Sequence, residues 1–303
     1  MADAGGPGMA VVARTIRLAD GRVLDVREAG PPGDLALLHI EGTPSGATTY
    51  PPDVEAALAR GLRYVLYARP GYGSSTRQPG RSVADLVADA REVAAQLGLR
   101  RLHVVGASGG GPHALAMAAL APDLVASAAT IGGVAPIEAA GLDWLDGMAQ
   151  ENLDEFAATR AGPGALQAFL EADAVAMATV TGPDIAAALG GLVPEVDRAA
   201  LTGEFADVVA ASIRDAVRNG IWGWFDDDLA FDRPWGFDLA SIRIPVTVWQ
   251  GSEDKMVPFA HGRWLAANVP GARPMLLEGE GHLSIAAADF GRILDDLLET
   301  PAG

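Results

Sequence analysis

The 303-residue chain contains no cysteine. This absence excludes disulfide bonds, catalysis by a cysteine thiolate and cysteine-based metal sites. It does not separate reducing from oxidising compartments, because either can hold such a protein. The first ten residues, MADAGGPGMA, also lack the basic cluster and the apolar core of a secretory signal peptide. We therefore expect a cytoplasmic protein.

Positive charge is scarce as well. Lysine and arginine together number 22, against 39 aspartates and glutamates, which gives a formal net charge of −17. A surface of this sign repels phosphate backbones and anionic lipids, so we expect a small-molecule substrate and no nucleic-acid or membrane partner. No group of histidines, aspartates and glutamates has the spacing of a metal site. The acidic run FDDDLAFD, residues 225–232, is interpreted as a solvated turn.

Charged side chains are missing from one long stretch, Leu102 to Pro122. A membrane span of this length would need an uninterrupted apolar helix. The glycines and Pro112 within the stretch instead favour a buried strand followed by a buried helix.

Alternating strand and helix signals organise most of the chain. The alternation in Val11–Leu18 and in Arg22–Glu28, joined by an Asp-Gly dipeptide, predicts an antiparallel hairpin. The later alternation of β-rich and helix-like runs indicates an α/β fold, with a mostly parallel sheet and helices on both faces. Helix-like runs then occur without a convincing strand. We predict a helical cap, residues 134–238, inserted after the sixth strand of a core formed by residues 1–133 and 239–303.

The segment LHVVGASGGGPHALA carries Ser108 between a predicted strand and a predicted helix. A glycine-rich turn in this position suits either a phosphate-binding loop or a nucleophilic serine. The single lysine, Lys255, argues against the first alternative. Short-chain dehydrogenases need a Tyr-x-x-x-Lys pair, and Gly251 stands four residues before Lys255; a Walker loop needs Gly-Lys-Ser/Thr. The pattern Gly-x-Ser-x-Gly, residues 106–110, is therefore interpreted as a turn that exposes a nucleophile.

A serine hydroxyl attacks at neutral pH only when a base takes its proton and a carboxylate orients that base. Asp254 lies in the loop after the strand-like run PVTVWQG, and His282 lies in the loop after RPMLLEG. Both follow the carboxyl ends of predicted strands, as Ser108 does, and open α/β sheets build their sites at that edge. The chain order Ser-Asp-His predicts a catalytic triad of Ser108, Asp254 and His282.

With these residues located, the chain resembles the α/β-hydrolase superfamily. The resemblance lies in the segments EGTP, RPGYGSS, VVGASGGG, GSEDKMVP and GEGHLS. It covers roughly residues 11–133 and 239–300 and is weak between them.

The resemblance implies a role for each site residue. Ser108 is the nucleophile, His282 is the general base and then the general acid, and Asp254 orients the imidazole. The backbone N–H groups of Thr43 and Gly109 form the oxyanion hole. No metal or other cofactor is required.

Two loop positions depart from the superfamily pattern. Glu41-Gly42 stands where His-Gly is usual, and Ala68 replaces the aspartate of Asp-Arg-Pro-Gly before Arg69. We predict that Glu41 supplies the carboxylate missing at Ala68 and pairs with Arg69, so that the loop keeps its shape. An unpaired carboxylate beside the oxyanion hole would weaken anion stabilisation and argue against ester hydrolysis.

The predicted function is a serine hydrolase that cleaves an ester, thioester, lactone or amide of a small hydrophobic substrate through an acyl-enzyme. By resemblance, the same triad serves cofactor-independent perhydrolases and carbon–carbon bond hydrolases. The replacement at Glu41 also keeps open a ligand-binding protein with little turnover. Epoxide hydrolases are disfavoured, because they have aspartate where this chain has Ser108. The sequence leaves the oligomeric state open.

Aromatic residues and methionine of the predicted cap are candidates for two roles. Candidates for lining the pocket are Trp144, Phe156, Phe169 and Met177. We expect three tryptophans to pack the cap onto the core: Trp222, Trp224 and Trp235.

Overall fold

The computed structural model describes residues 10–299, whose strands form one eight-stranded sheet. In chain order the strands are β1 (Val12–Arg17), β2 (Val23–Ala29), β3 (Leu35–Ile40), β4 (Arg63–Tyr67), β5 (Arg101–Ala107), β6 (Val125–Ile131), β7 (Val246–Gly251) and β8 (Arg273–Leu277). Their order in the sheet is β1-β2-β4-β3-β5-β6-β7-β8. β2 is antiparallel to both of its neighbours, and the remaining pairs are parallel. The predicted sheet with its N-terminal hairpin is confirmed.

Eleven α-helices accompany the sheet within these residues. They are α1 (Pro51–Ala59), α2 (Leu86–Gln96), α3 (Gly110–Leu120), α4 (Gln150–Ala161), α5 (Pro163–Met177), α6 (Gly182–Ala188), α7 (Glu195–Ala200), α8 (Gly203–Val217), α9 (Trp222–Phe231), α10 (Phe259–Asn268) and α11 (Ser284–Glu299). None of the helices in the described part of the chain combines the length and hydropathy needed to cross a bilayer. The charge-free stretch from Leu102 to Pro122 forms most of β5 and all of α3, as predicted.

Two apolar cores cover the two faces of the sheet. In β5, Val104 belongs to one core and its neighbour Val105 to the other, because successive side chains of a strand point to opposite faces. Helices α2 and α3 contribute to the first core, and helices α1 and α11 contribute to the second. Burial on both faces is the usual condition of parallel strands and explains their continuous apolar runs.

Helices α4 to α9 all lie between β6 and β7, the stretch in which no strand was expected. We refer to residues 134–238 as the helical insertion. Part of it has an apolar cluster of its own, which includes Val180, Ile185, Ala210 and Ile213. The insertion therefore holds itself together partly without the sheet.

The acidic run of the insertion is buried, so its interpretation as a solvated turn is wrong. Asp226, Asp227 and Asp228 lie on α9 and are each at most 2% exposed. Arg77 donates to Asp226 at 2.8 Å, which supplies a counter-charge from the loop after β4. Burial of a carboxylate is tolerated where such partners exist.

Asp227 is the most heavily bonded of the three. Its Oδ2 accepts hydrogen bonds from Arg69 Nη2 at 2.6 Å, Tyr72 Oη at 2.8 Å and Thr43 Oγ1 at 2.8 Å. Its Oδ1 accepts from Arg81 Nη1 at 2.5 Å. Burial alone would raise the pKa of Asp227, but the two guanidinium groups hold that pKa well below its usual range. The carboxylate thus joins α9 to the loops that follow β3 and β4.

Replacing Asp227 with alanine is expected to lower the free energy of unfolding by about 3–5 kcal/mol, because Arg69 and Arg81 stay buried without their counter-charge. Urea unfolding followed by circular dichroism at neutral pH measures the loss. Asp232→Ala is the control, since Asp232 pairs with Arg160 at the surface, where side-chain exposures are 21% and 42%. The control should cost less than about 1 kcal/mol. Equal losses in the two variants would contradict the prediction.

Candidate active site

Ser108 occupies a strained turn between β5 and α3. Its φ is +50°, and no other non-glycine residue among positions 10–299 has a positive φ. The turn brings the backbones close together: a Cβ added at Gly106 would lie 2.3 Å from the carbonyl oxygen of Gly110. A Cβ added at Gly110 would lie 2.1 Å from the carbonyl oxygen of Ile40. The small residues around the serine are therefore required by packing, as the pattern predicted.

Asp254 and His282 form a buried pair. Asp254 Oδ2 lies 2.7 Å from His282 Nδ1, so Nδ1 carries the proton and the neutral ring keeps a lone pair on Nε2. Two backbone N–H groups hold the other oxygen of Asp254: those of Met256 at 2.9 Å and Val257 at 2.8 Å. Gln250 Nε2 donates to Oδ2 at 2.8 Å. The carboxylate is thereby fixed in the orientation that the imidazole needs.

The electrostatic surroundings favour a protonated imidazole at His282. Burial alone would lower the pKa of His282. The charge and the hydrogen bond of Asp254, together with the charge of Asp197, outweigh burial and raise that pKa above its ordinary value. The ring is therefore a stronger base than a free histidine.

Asp197 is a supporting residue that the sequence did not reveal. It lies on α7 of the helical insertion and is fully buried. Its carboxylate accepts the backbone N–H groups of His282 at 2.8 Å, Leu283 at 2.9 Å and Ser284 at 2.8 Å. These bonds fix the loop that carries the histidine at the N-terminus of α11.

Gly132, at the end of β6, explains why the acid follows β7. A Cβ at this position would lie 2.8 Å from His282 Cε1 and Nδ1 and 3.3 Å from Asp254 Oδ2. No side chain larger than hydrogen fits there while the pair is in place. Gly132 therefore leaves no room for a competing acid at the end of β6.

The two predicted oxyanion donors, Thr43 and Gly109, lie against each other. A Cβ added at Gly109 would lie 2.4 Å from Thr43 Oγ1. Neither backbone N–H donates to another group in the described part of the chain. Two adjacent, unoccupied N–H donors beside a serine are suited to bind an oxyanion.

The predicted ion pair between Glu41 and Arg69 is wrong, because Arg69 pairs with a different carboxylate. Arg69 does contact Glu41, but through the backbone: Nη1 donates to the carbonyl oxygen of Glu41, and Nη2 donates to that of Gly42 at 2.8 Å. The acidic partner of Arg69 is Asp227. The loop shape is thus maintained by an aspartate of the insertion. The Glu41 carboxylate stands 4.0 Å from His39 Nδ1 and pairs with no arginine or lysine among the described residues, so the ligand-binding alternative with little turnover stays open.

A cavity of about 310 Å³ joins these elements. Ser108, His282, Thr43 and Gly109 all line it. Within residues 10–299, no hydrogen bond links Ser108 Oγ to His282. In proteins without substrate, the distance between a catalytic serine and its base is often too long for a hydrogen bond.

Apolar side chains form much of the cavity wall. Of the four pocket candidates from the sequence, Phe156 and Met177 line it. Trp144 packs on Phe156 and His261, and Phe169 packs against the second apolar core, so neither was predicted correctly. Among the three tryptophans expected to pack the insertion onto the core, Trp224 also reaches the cavity.

Comparison with known proteins gives the same picture. A family model described as the alpha/beta hydrolase fold matches residues 36–287. The non-heme chloroperoxidase of Streptomyces lividans is 26% identical over 253 residues, which cover 81% of this chain and 84% of that protein. The 2-hydroxy-6-oxononadienedioate/2-hydroxy-6-oxononatrienedioate hydrolase 2 of Pseudomonas putida is 26% identical over 278 residues, covering 88% and 87%.

Solved structures share the fold. Epoxide hydrolase A of Mycobacterium thermoresistibile aligns with a TM-score of 0.70 at 22% identity, covering 97% of this chain and all of that one. The match to the family model spans β3 to the start of α11 and includes the serine turn and both loops of the Asp–His pair. The chain belongs to the α/β hydrolase fold family.

Proposed function

We propose that the protein is a serine hydrolase that cleaves a carboxylic ester, thioester, lactone or amide through an acyl-enzyme on Ser108. One observation carries the proposal: Ser108 on its strained turn and His282 with its buried carboxylate partner line a single cavity. Together they provide a nucleophile, a base and an orienting acid in one place.

The reaction follows from these groups. His282 Nε2 takes the proton of Ser108 as Oγ attacks the substrate carbonyl, and the imidazolium is stabilised by Asp254. The N–H groups of Thr43 and Gly109 bind the oxyanion of the tetrahedral intermediate. His282 then protonates the leaving group. The same ring takes a proton from water as the water attacks the ester on Ser108, and it returns that proton to Oγ as the carboxylic acid leaves. Hydrogen peroxide in place of water would make the same site a perhydrolase. The relative named a non-heme chloroperoxidase is the observation that supports this alternative.

The charge of the cavity bears on the carbon–carbon hydrolase alternative. The Pseudomonas putida relative is named for dicarboxylate substrates. Among the described residues, the cavity is lined by no arginine or lysine, whereas six carboxyl groups line it: Glu41, Asp53, Glu151, Glu155, Asp173 and Asp228. Such a lining offers a dianion no counter-charge. Neutral or cationic acyl compounds are therefore the better candidates.

An alkyl fluorophosphonate should label wild-type protein once, on Ser108, because the reagent requires an activated nucleophile and an oxyanion hole. Peptide mass spectrometry locates the adduct. Ser108→Ala is the control and should remain unlabelled, with an unchanged circular dichroism spectrum. A folded wild-type protein that resists labelling would contradict the hydrolase and favour the ligand-binding alternative.

The hydrolysis of p-nitrophenyl acetate should increase with pH as His282 loses its proton, because only the neutral ring accepts the serine proton. Asp254 raises the pKa of His282, so the acidic limb of kcat/KM is expected above the ordinary histidine value of about 6.5. In Asp254→Asn the carboxylate charge is lost, so burial lowers the pKa of His282. The limb should move to lower pH, and kcat should fall by about 10³–10⁴-fold.

The matched control is Glu253→Gln, which removes an exposed carboxylate from the neighbouring position. It should leave both the limb and kcat near those of the wild type. A limb that stays in place in Asp254→Asn would show that another group sets the pH dependence.

A further inference from the structure

Three consecutive aspartates on α9 have three different environments. Asp226 pairs with Arg77, and Asp227 pairs with Arg69 and Arg81. Asp228 is 2% exposed and makes no ion pair within the described residues. Its Oδ2 is buried and has no hydrogen-bond partner there. A buried acid of this kind normally has a counter-charge, and Asp228 has none from the protein.

Asp228 faces the cavity that contains Ser108, and Glu155 of α4 lines the same cavity. Trp224 Nε1 donates to Glu155 Oε1 at 2.5 Å, which fixes that side chain. Burial, and then the neighbouring Glu155, raise the pKa of Asp228 well above its ordinary value. Burial also raises the pKa of Glu155. Glu155 and Asp228 are therefore hydrogen-bonded neighbours that disfavour each other's ionisation, and a cation placed beside them would relieve that repulsion.

The rest of the cavity has the same sign. Asp173 of α5 is another carboxyl group on the side of the insertion, and Glu41 and Asp53 lie on the side of the core. Throughout residues 10–299, no group of three or more metal-ligating side chains is arranged to hold a metal ion. An organic cation therefore fits these carboxyl groups better than a metal ion does.

We propose that Glu155 and Asp228 bind a protonated amine of the substrate, whose hydrocarbon part lies in the same cavity with its acyl group at Ser108. This inference deepens the proposed function and rests on it, since it assigns the substrate class of the same site. An ammonium group has only donors, and the two carboxyl groups offer the acceptors, including the unused Oδ2 of Asp228. Trp224 lines the site and donates from Nε1 to Glu155, which holds that carboxyl group in place. Phe156 and Met177 form apolar wall.

Binding is tested first, without turnover, on the Ser108→Ala protein. Isothermal titration calorimetry compares three probes of equal chain length: hexylammonium, hexan-1-ol and hexanoate. Hexylammonium is expected to bind about tenfold or more tightly than hexan-1-ol, because hydrogen bonds to charged groups are the stronger ones. Hexanoate should bind most weakly. Equal binding of the amine and the alcohol would overturn the inference.

The carboxyl pair is then replaced with neutral isosteres in Glu155→Gln/Asp228→Asn, which should abolish the preference for the amine. Asp154→Asn is the matched control, because Asp154 is an exposed acid of the same helix that accepts a hydrogen bond from Gln150. It removes one charge and should preserve the preference. A preference that survives the double substitution would overturn the assignment to this pair. If the double variant fails to fold, the comparison of the three probes on the Ser108→Ala protein still tests whether the cavity prefers an amine.

Turnover by the wild-type protein separates this inference from the proposed function. The substrates are the p-nitrophenyl esters of 6-ammoniohexanoate and heptanoate, which have the same length and differ in the charge and the N–H donors at the chain end. A higher kcat/KM for the cationic ester is expected. Preference for the neutral ester would overturn the inference and leave the hydrolase intact. Tight binding of hexylammonium, without hydrolysis of either ester or labelling of Ser108, would support the amine site and overturn the hydrolase.

Discussion

A buried carboxylate must be compensated, and the structure depends on how that is achieved at Asp227. In a medium of low polarity the cost of an unpaired charge is several kcal/mol, so four donors from two core loops converge on this one side chain. Thr43 is one of these donors, and its backbone N–H is a proposed oxyanion ligand. The insertion therefore does more than cover the site. It also holds the loop that carries this proposed ligand.

The strained turn at Ser108 and the pair of Asp254 and His282 could be predicted because each of these residues has a local signal. The Gly-x-Ser-x-Gly turn, the strand-end positions of Asp254 and His282 and their order in the chain are all visible in the sequence. The hairpin and the alternation of strands and helices were visible for the same reason, since residue periodicity reports which face is buried.

The supporting charges could not be predicted, because they are partnerships across long separations. Arg69 and Asp227 are 158 residues apart, and nothing near either residue specifies the other. Glu41, at the start of the oxyanion loop, was the predicted partner of Arg69, and the arginine bonds to its backbone instead. The three aspartates of α9 show the same limit. Successive residues on a helix point about 100° apart, so a run that resembles a solvated turn sends its carboxylates to different surroundings.

The bonds from Asp197 give the insertion a second connection to the chemistry. The loop of the histidine is tied to α7 by three backbone N–H groups, and the oxyanion loop is tied to α9. If these helices swung away to admit a bulky molecule, the base and the oxyanion donors would both lose their anchors. Ser108 would then be poorly activated until the helices returned. Under the proposed function, opening of the insertion and activation of Ser108 would exclude each other, so that an enclosed molecule would be committed to turnover.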